Sequence, residues 1–207
     1  MTLHREHDTR RRLRTLTRAA CFAALVLTTA TAAAGSKRYS LDPDHVSIGF
    51  LVDHIGYAKV LGMFRKAEGS FTFDEDTGAL GEIRIAIDAA SVFTNHRKRD
   101  DHLKSADFLN AREFPNLVFT APAATPTAGR AYRIQGELEL LGQRRPVTLE
   151  ATWNKSGEYP FGGNPYAMGV SARGSFRRSE FGMNYAVDNG WVGDEVELII
   201  EFEARPE

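Results

Sequence analysis

Apolar and polar residues alternate with a period of two through most of the chain from residue 45 onward. Alternation of this kind predicts half-buried strands, because successive side chains of a strand point to opposite faces of its sheet. The alternating runs occupy residues 45–53, 67–73, 82–88, 132–140, 147–153, 168–176 and 196–203. We add a strand at 116–121 and one near 58–66 that is continuous with 67–73 or bends into it. The pattern therefore predicts about eight strands.

Short turn signals separate these runs, at residues 74–78, 141–143 and 157–165. Short connections imply antiparallel neighbours, and one apolar face per strand implies a sheet with one dry side. We predict an all-β fold, a closed eight-stranded antiparallel barrel with a short helix near one end, because closure removes exposed strand edges. A barrel of this size is either filled by side chains or holds one ligand. A two-sheet sandwich is the alternative.

Glycines occupy three inward positions, Gly69, Gly136 and Gly174. They indicate either bends and bulges in tightly coiled strands or missing side chains that leave space inside the barrel. Twelve of the thirteen phenylalanines follow residue 34. Aromatic residues in such numbers suit the walls of a void and suit a filled core equally.

The first 34 residues differ in character from the rest of the chain. Five arginines between residues 10 and 18 precede an apolar stretch and a run of small residues that ends at Ala34. This order predicts a secretory signal peptide at 1–34, cleaved near Ala32–Ala34, and a domain at 35–207 that is periplasmic or secreted. A transmembrane anchor is the alternative, although the apolar run is shorter than the roughly 20 residues needed to span a bilayer.

Removal of this leader changes the charge of the protein. The leader holds 6 of the 26 basic and 2 of the 27 acidic residues, so the remainder carries 20 basic and 25 acidic groups, a net charge of −5. A negative domain argues against nucleic acid as a partner. Cys21, the one cysteine of the sequence, lies in the leader. The predicted mature domain therefore has no disulfide and no thiolate ligand or nucleophile.

A segment at residues 95–114 interrupts the strand pattern with charges, two histidines and helix-forming residues. Asn95 suits an N-cap, and residues 96–105 predict a helix of about two and a half turns. A metal site here would use His96 and His102, but a spacing of six places them on opposite helix faces.

Two further interpretations exist for the same segment. An acid–base centre would use His102, but no serine lies in a nucleophile elbow and no glycine-rich phosphate loop is present. We favour a helix packed across one mouth of the barrel. Its apolar side chains Leu103, Phe108 and Phe114 would plug the mouth, and Arg99, Asp100 and His102 would form a polar network.

Several stretches are similar to the YceI-like family, above all RDDHLKSADF at 99–108. The other matches are LDPDH at 41–45, His54 with Gly56, GMF at 62–64, FP at 114–115, GEL at 136–138, RSEFG at 178–182 and VGDEV at 192–196. Their order and spacing together make the resemblance specific, and it extends from Tyr39 to Ala204. The resemblance implies an exported, lipocalin-like barrel with a tunnel that holds a polyisoprenoid, an isoprenoid quinone or a fatty-acyl chain.

From the pattern and this resemblance we expect a lipid-binding protein with no enzymatic chemistry, no metal and no cofactor. The inward residues predicted to contact the ligand are Phe50, Val52, Phe71, Ile85, Phe119, Ile134, Leu138, Val170, Phe176 and Ile200. The predicted neighbours of its head group are His45, His54, Arg99 and His102. Ordinary core packing and structural hydrogen bonds explain these residues as well.

Two other functions compete with lipid binding. One is an enzyme that acts on a small apolar substrate in the same cavity, with His102 as base. The other is an interaction module whose core is filled. The sequence leaves open a transient contact with a membrane or membrane proteins, and a homodimer.

Overall fold

A computed structural model describes residues 35–207. The predicted signal peptide at 1–34 lies outside the described residues. Among the described residues, no helix is long and apolar enough to cross a membrane.

The described chain is almost entirely strand. The strands are β1 (Lys37–His54), β2 (Ala58–Phe64), β3 (Ala67–Phe73), β4 (Leu80–Asp88), β5 (Val92–Phe93), β6 (Asn116–Ala124), β7 (Pro126–Ala128), β8 (Ala131–Leu140), β9 (Gln143–Glu158), β10 (Tyr166–Arg177) and β11 (Val192–Pro206). One α-helix, α1 (Arg97–Leu103), and 3-10 helices at Ala89–Ser91 and Arg178–Phe181 complete the fold.

The first and last strands pair and close the sheet. β1 runs antiparallel to β11 along its whole length, from Tyr39 opposite Pro206 to His54 opposite Val192. On its other side β1 pairs with β3 near its start and with β2 near its end. The bent β2–β3 unit therefore fills one position in a ring whose other members are β4, β6, β8, β9, β10, β11 and β1. The predicted closed eight-stranded antiparallel barrel is confirmed, and this closure excludes the sandwich.

The inward glycines do not enlarge the interior. A Cβ added at Gly136 would collide with the Phe119 ring on the adjacent strand β6, and one added at Gly69 would collide with the backbone of Arg84 and the side chain of Ile85. Side chains of the neighbouring strand therefore lie directly over these glycines. The interpretation that missing side chains at Gly69, Gly136 and Gly174 leave space inside the barrel is therefore wrong, because residues of the neighbouring strands occupy that space.

One end of the barrel is closed by a carboxylate held between two tyrosines. Tyr39 of β1 is completely buried and donates a hydrogen bond of 2.6 Å to Glu75 Oε1, in the turn after β3. Tyr166 of β10 donates to both oxygens of Glu75, at 2.8 and 2.7 Å. The Tyr39 ring also stacks on Phe71, with 5.7 Å between centroids. Glu75 thereby ties the turn after β3 to strands β1 and β10.

This arrangement predicts a loss of stability in alkali. Burial, followed by the hydrogen bond to Glu75, raises the pKa of Tyr39, and the bond to Glu75, followed by burial, raises that of Tyr166. A group whose pKa is raised by folding contributes stability that is complete below its unfolded pKa and is lost as the pH rises above it. The free energy of unfolding should therefore fall steadily above about pH 10, the ordinary tyrosine value.

Urea unfolding at neutral and alkaline pH tests this expectation. Tyr39→Phe should lose about 2 kcal/mol at neutral pH, because it removes one hydrogen bond to a carboxylate. Its alkaline decline should be shallower than that of the wild type. An equally steep decline in the variant would contradict the assignment.

Candidate functional site

The barrel encloses a cavity of about 470 Å³. This volume lies within the range of about 300–1,000 Å³ that is usual for small-molecule sites. The ten inward residues predicted to contact a ligand all lie on its wall: Phe50, Val52, Phe71, Ile85, Phe119, Ile134, Leu138, Val170, Phe176 and Ile200. Their place on the wall follows from the strand alternation. Their contact with a ligand stays a prediction.

The arginine, aspartate and histidine residues of the wall gather at one end of the cavity. They are Asp53 and His54 at the end of β1, Arg99 and His102 on α1, and Arg178 just after β10. The ends of β1 and β10 lie together, because both pair with the start of β11. We call this end, where Ile55, Tyr185 and Trp191 also line the cavity and are exposed, the mouth.

Helix α1 is anchored at the mouth by an internal network. Asp100 is buried, and its Oδ1 accepts hydrogen bonds from the backbone N–H and the hydroxyl of Thr94, at 2.7 and 2.5 Å. Arg99 donates from Nε to the Thr94 hydroxyl and from Nη2 to the Thr94 carbonyl. Two members of the predicted polar network, Arg99 and Asp100, therefore meet around Thr94, a residue that the sequence pattern did not single out, whereas the third, His102, bonds to Asp107.

Two details of the predicted helix are wrong. The N-cap is His96, which has an extended backbone (φ −151°) and whose side-chain Nδ1 accepts the Arg99 N–H. Asn95 has φ 59° and stands outside the helix. Of the predicted plug, Leu103 and Phe108 line the cavity, but Phe114 lies against Gly142 and does not. Local propensity could not separate two adjacent capping residues.

His102 joins the helix to the loop that precedes β11. Its ring stands edge-on to Phe108 and to Tyr185, with 5.0 Å between centroids in each case, and its Nε2 is 2.8 Å from Asp107 Oδ2. The ring packs among aromatic neighbours and has a carboxylate partner. The wall of the cavity, within the described chain, contains no serine, threonine, cysteine or lysine. An acid–base centre at His102 would thus have no hydroxyl of serine or threonine, no thiol and no amine in the cavity wall to activate.

Arg178 was not among the predicted site residues. Its guanidinium is 2% exposed and donates hydrogen bonds of 2.8–2.9 Å to the carbonyls of Met183, Tyr185, Val192 and Gly193. Its Cζ lies 5.8 Å from the Phe108 ring centroid, within range of a cation–π contact. Burial lowers the pKa of Arg178. The signal in the sequence was weak, since an arginine after a strand is ordinarily exposed.

His45 does not belong to the site. Its side chain is half-exposed and outside the cavity wall, with Nδ1 3.0 Å from Asp42 Oδ2 and 3.8 Å from Glu203. The bond to Asp42 raises the pKa of His45. The strand alternation already assigned His45 to the outward face, so its selection as a head-group neighbour is corrected. The other three predicted neighbours, His54, Arg99 and His102, do lie at the mouth.

The cluster of Asp42, His45 and Glu203 has the residue types of a metal site, with ligand atoms within 4.8 Å of one another. However, Asp42 Oδ2 also accepts a bond of 2.6 Å from Arg205, and Glu203 accepts the Tyr159 hydroxyl. Protein donors therefore occupy the carboxylates that a cation would need. The cluster is best described as an outer-surface ion-pair network.

Comparison with known proteins agrees with this architecture. Residues 39–204 match the model of the YceI-like domain. The chain belongs to the YceI-like family. Protein YceI of Salmonella agona (strain SL483) is 38% identical over 182 residues, which cover 88% of this chain and 93% of that protein.

Solved structures of the same fold extend the comparison. Burkholderia cenocepacia BcnA has a TM-score of 0.69 at 21% identity, covering 79% of this YceI-like chain and 98% of BcnA. A polyisoprenoid binding domain from Saccharophagus degradans, implicated in plant cell wall breakdown, has a TM-score of 0.60 at 12% identity. It covers 82% of this chain and 98% of its own. At these identities the likeness establishes the fold.

The buried Arg178 gives a testable prediction for this family member. Arg178→Gln would leave several loop carbonyls without donors, and each unsatisfied group costs about 1–3 kcal/mol. We expect a loss of about 3 kcal/mol or more in the free energy of unfolding, measured with urea. The exposed neighbour Arg177→Gln is the control and should change stability by less than about 0.5 kcal/mol. Equal effects of the two variants would refute the structural role of Arg178.

Proposed function

We propose that this protein is an exported, periplasmic or secreted, lipid-binding protein that transports, stores or sequesters a long apolar chain inside its barrel. The observation that supports the proposal is the cavity of about 470 Å³, whose wall is apolar except at the mouth. An apolar space inside the barrel shields a hydrocarbon chain from water. Arginine, aspartate and histidine side chains confined to the mouth suit an amphiphile that enters tail first.

Burial of the chain would supply enough free energy for stable binding. At roughly 30 Å³ for each water-sized group, the cavity has room for on the order of fifteen methylenes. A chain of that length would gain about 12 kcal/mol at about 0.8 kcal/mol per methylene, before the loss of freedom on binding is subtracted. Apolar contact alone can thus hold the ligand, and polar contacts would set its direction.

The family and the structural neighbours favour an isoprenoid chain, an isoprenoid quinone or a fatty-acyl amphiphile. The Saccharophagus degradans neighbour is named for binding polyisoprenoid. The Phe-rich, branched-aliphatic wall of this chain would accept a methyl-branched chain as readily as a straight one.

Catalysis is the competing function, and the 2.8 Å contact between His102 and Asp107 is the observation that favours it. A histidine oriented by a carboxylate at a cavity mouth is a usual general base. We prefer binding because His102 is also packed against Phe108 and Tyr185, and the wall of the described barrel contains no serine, threonine, cysteine or lysine for it to activate.

We also propose that the ligand is loaded by brief contact of the mouth with a membrane. Tyr57, in the turn after β1, is 90% exposed, and Trp191 beside the cavity is 59% exposed. The backbone N–H of Ile55 donates to the Trp191 carbonyl, so these apolar residues form one rim. Exposed tyrosine and tryptophan favour the interface between bilayer and water.

Native mass spectrometry of protein purified without detergent tests the binding function. We expect a complex heavier than the apoprotein, from which extraction releases an apolar molecule. The same spectrum reports whether the protein is a monomer or a homodimer. A spectrum at the apoprotein mass alone, from a host rich in isoprenoids and quinones, would contradict the proposal and favour an interaction module.

A cavity-filling variant sharpens this test. Ala172→Phe places a ring inside the void, where the displacement of two methylenes at about 0.8 kcal/mol each lowers affinity about tenfold. The dissociation constant for the chain, measured by titration of the delipidated protein, should therefore rise about tenfold or more. Ser175→Phe adds the same ring to an exposed position of β10, and its dissociation constant should match the wild type. Comparable loss in both variants would mean that the chain is held elsewhere.

Loading from a membrane is tested by the rate of transfer from donor vesicles. Tyr57→Ser should slow transfer several-fold without changing its final extent, because Tyr57 does not line the cavity. Phe161→Ser removes an aromatic side chain of similar exposure, 67%, from the loop between β9 and β10 at the closed end. Equal slowing by both substitutions would rule out loading through the mouth.

A further inference from the structure

Two guanidinium groups face the cavity at the mouth. Of the residues that line the cavity, Arg99 and Arg178 are permanently cationic, and Asp53 is the one carboxylate. Asp53 is exposed and faces Lys59, which is ion-paired with Glu197. The nearby carboxylates of Asp100 and Asp107 bond to Thr94 and His102 and do not line the cavity.

The charge of Arg178 has no carboxylate in direct contact among the described residues. Its four hydrogen bonds all go to backbone carbonyls. Asp194, whose negative charge acts on Arg178 without direct contact, accepts hydrogen bonds from the N–H and hydroxyl of Ser179, at 2.9 and 2.8 Å. The charge of a buried guanidinium is felt in its surroundings, because little water is present to screen it.

Arg99 offers the donor that a ligand could reach. Its Nε and Nη2 are used by Thr94, whereas Nη1 makes no hydrogen bond within residues 35–207. The residue is exposed and lines the cavity, at the boundary between the apolar interior and water. His102, three residues further along α1, lines the same boundary. A guanidinium fixed on one edge and free on the other is well prepared to bind an oxygen anion.

We propose that the mouth selects amphiphiles with an anionic oxygen head group, a carboxylate or a phosphate, over neutral amphiphiles of the same chain. The inference rests on the proposed lipid-binding function and specifies its ligand class. Arg99 Nη1 contacts the head group, Arg178 supplies a second guanidinium charge on the cavity side, and the chain lies along the apolar wall.

A set of ligands with one chain and three head groups tests the inference. Dodecanol, dodecanoate and dodecyl phosphate are each titrated against protein loaded with a fluorescent apolar probe, at neutral pH and low salt. We expect at least one of the two anions to bind about tenfold or more tightly than the alcohol, which is the scale of a charge-assisted hydrogen bond. The comparison between the two anions shows whether carboxylate or phosphate is preferred.

Variants on one helix assign the selectivity to the mouth. Arg99→Gln should abolish most of the anion-to-alcohol ratio, and Arg99→Lys, which keeps the charge, should retain much of it. Arg97→Gln removes an arginine from the same helix whose side chain is 95% exposed, and its ratio should equal that of the wild type. Retention of the ratio by Arg99→Lys would not be expected if Arg99 served only to anchor the helix.

The outcomes separate this inference from the function on which it rests. Equal affinities of the wild type for anion and alcohol, or a ratio unchanged by Arg99→Gln, would overturn the inference and leave lipid binding intact. Failure of all three ligands to displace the probe, together with an apoprotein mass in the native spectrum, would overturn the proposed function itself.

Discussion

The pairing of β1 with β11 is the constraint on which the rest of the structure depends. It joins the two ends of the described chain, from Tyr39 opposite Pro206 to His54 opposite Val192. With this pair formed, no long strand of the ring has a free edge, and every inward side chain faces another across the barrel. Without it, the same apolar faces would be exposed along an open sheet. Both the cavity and its mouth exist because β11 pairs with β1.

The two ends of the closed barrel differ from each other. At one end, Glu75 ties the turn after β3 to Tyr39 and Tyr166, and aromatic packing around Phe73 fills the space. At the other, a short helix and a loop combine the polar contacts of Arg99 and Arg178 with the aromatic packing of His102. An eight-stranded ring can be filled by side chains or can hold a ligand, and in this chain a void of about 470 Å³ remains between the two ends.

The sequence predicted those parts of the structure that depend on local periodicity. Alternation placed Phe50, Phe119 and Ile200 on the inner wall, because a strand allows a side chain only two directions. It could not find the bond from Tyr166 to Glu75, which joins residues 91 positions apart. It also could not distinguish Arg178 from a surface arginine, since the carbonyls that hold it come from a loop without periodic pattern. Long-range polar contacts are specified by the closed ring and have no local signature.

The choice of arginine at position 178 links the stability of the mouth to its electrostatics. An apolar residue would fill the same volume at less desolvation cost, but it would leave the carbonyls of Met183, Tyr185, Val192 and Gly193 without donors. Lysine has three donors on a flexible stem, whereas the planar guanidinium has five in fixed directions. The loop therefore requires a guanidinium, and the guanidinium brings a charge that no protein carboxylate contacts. The residue that holds the loop of the mouth in place therefore also places a positive charge at the boundary of the cavity.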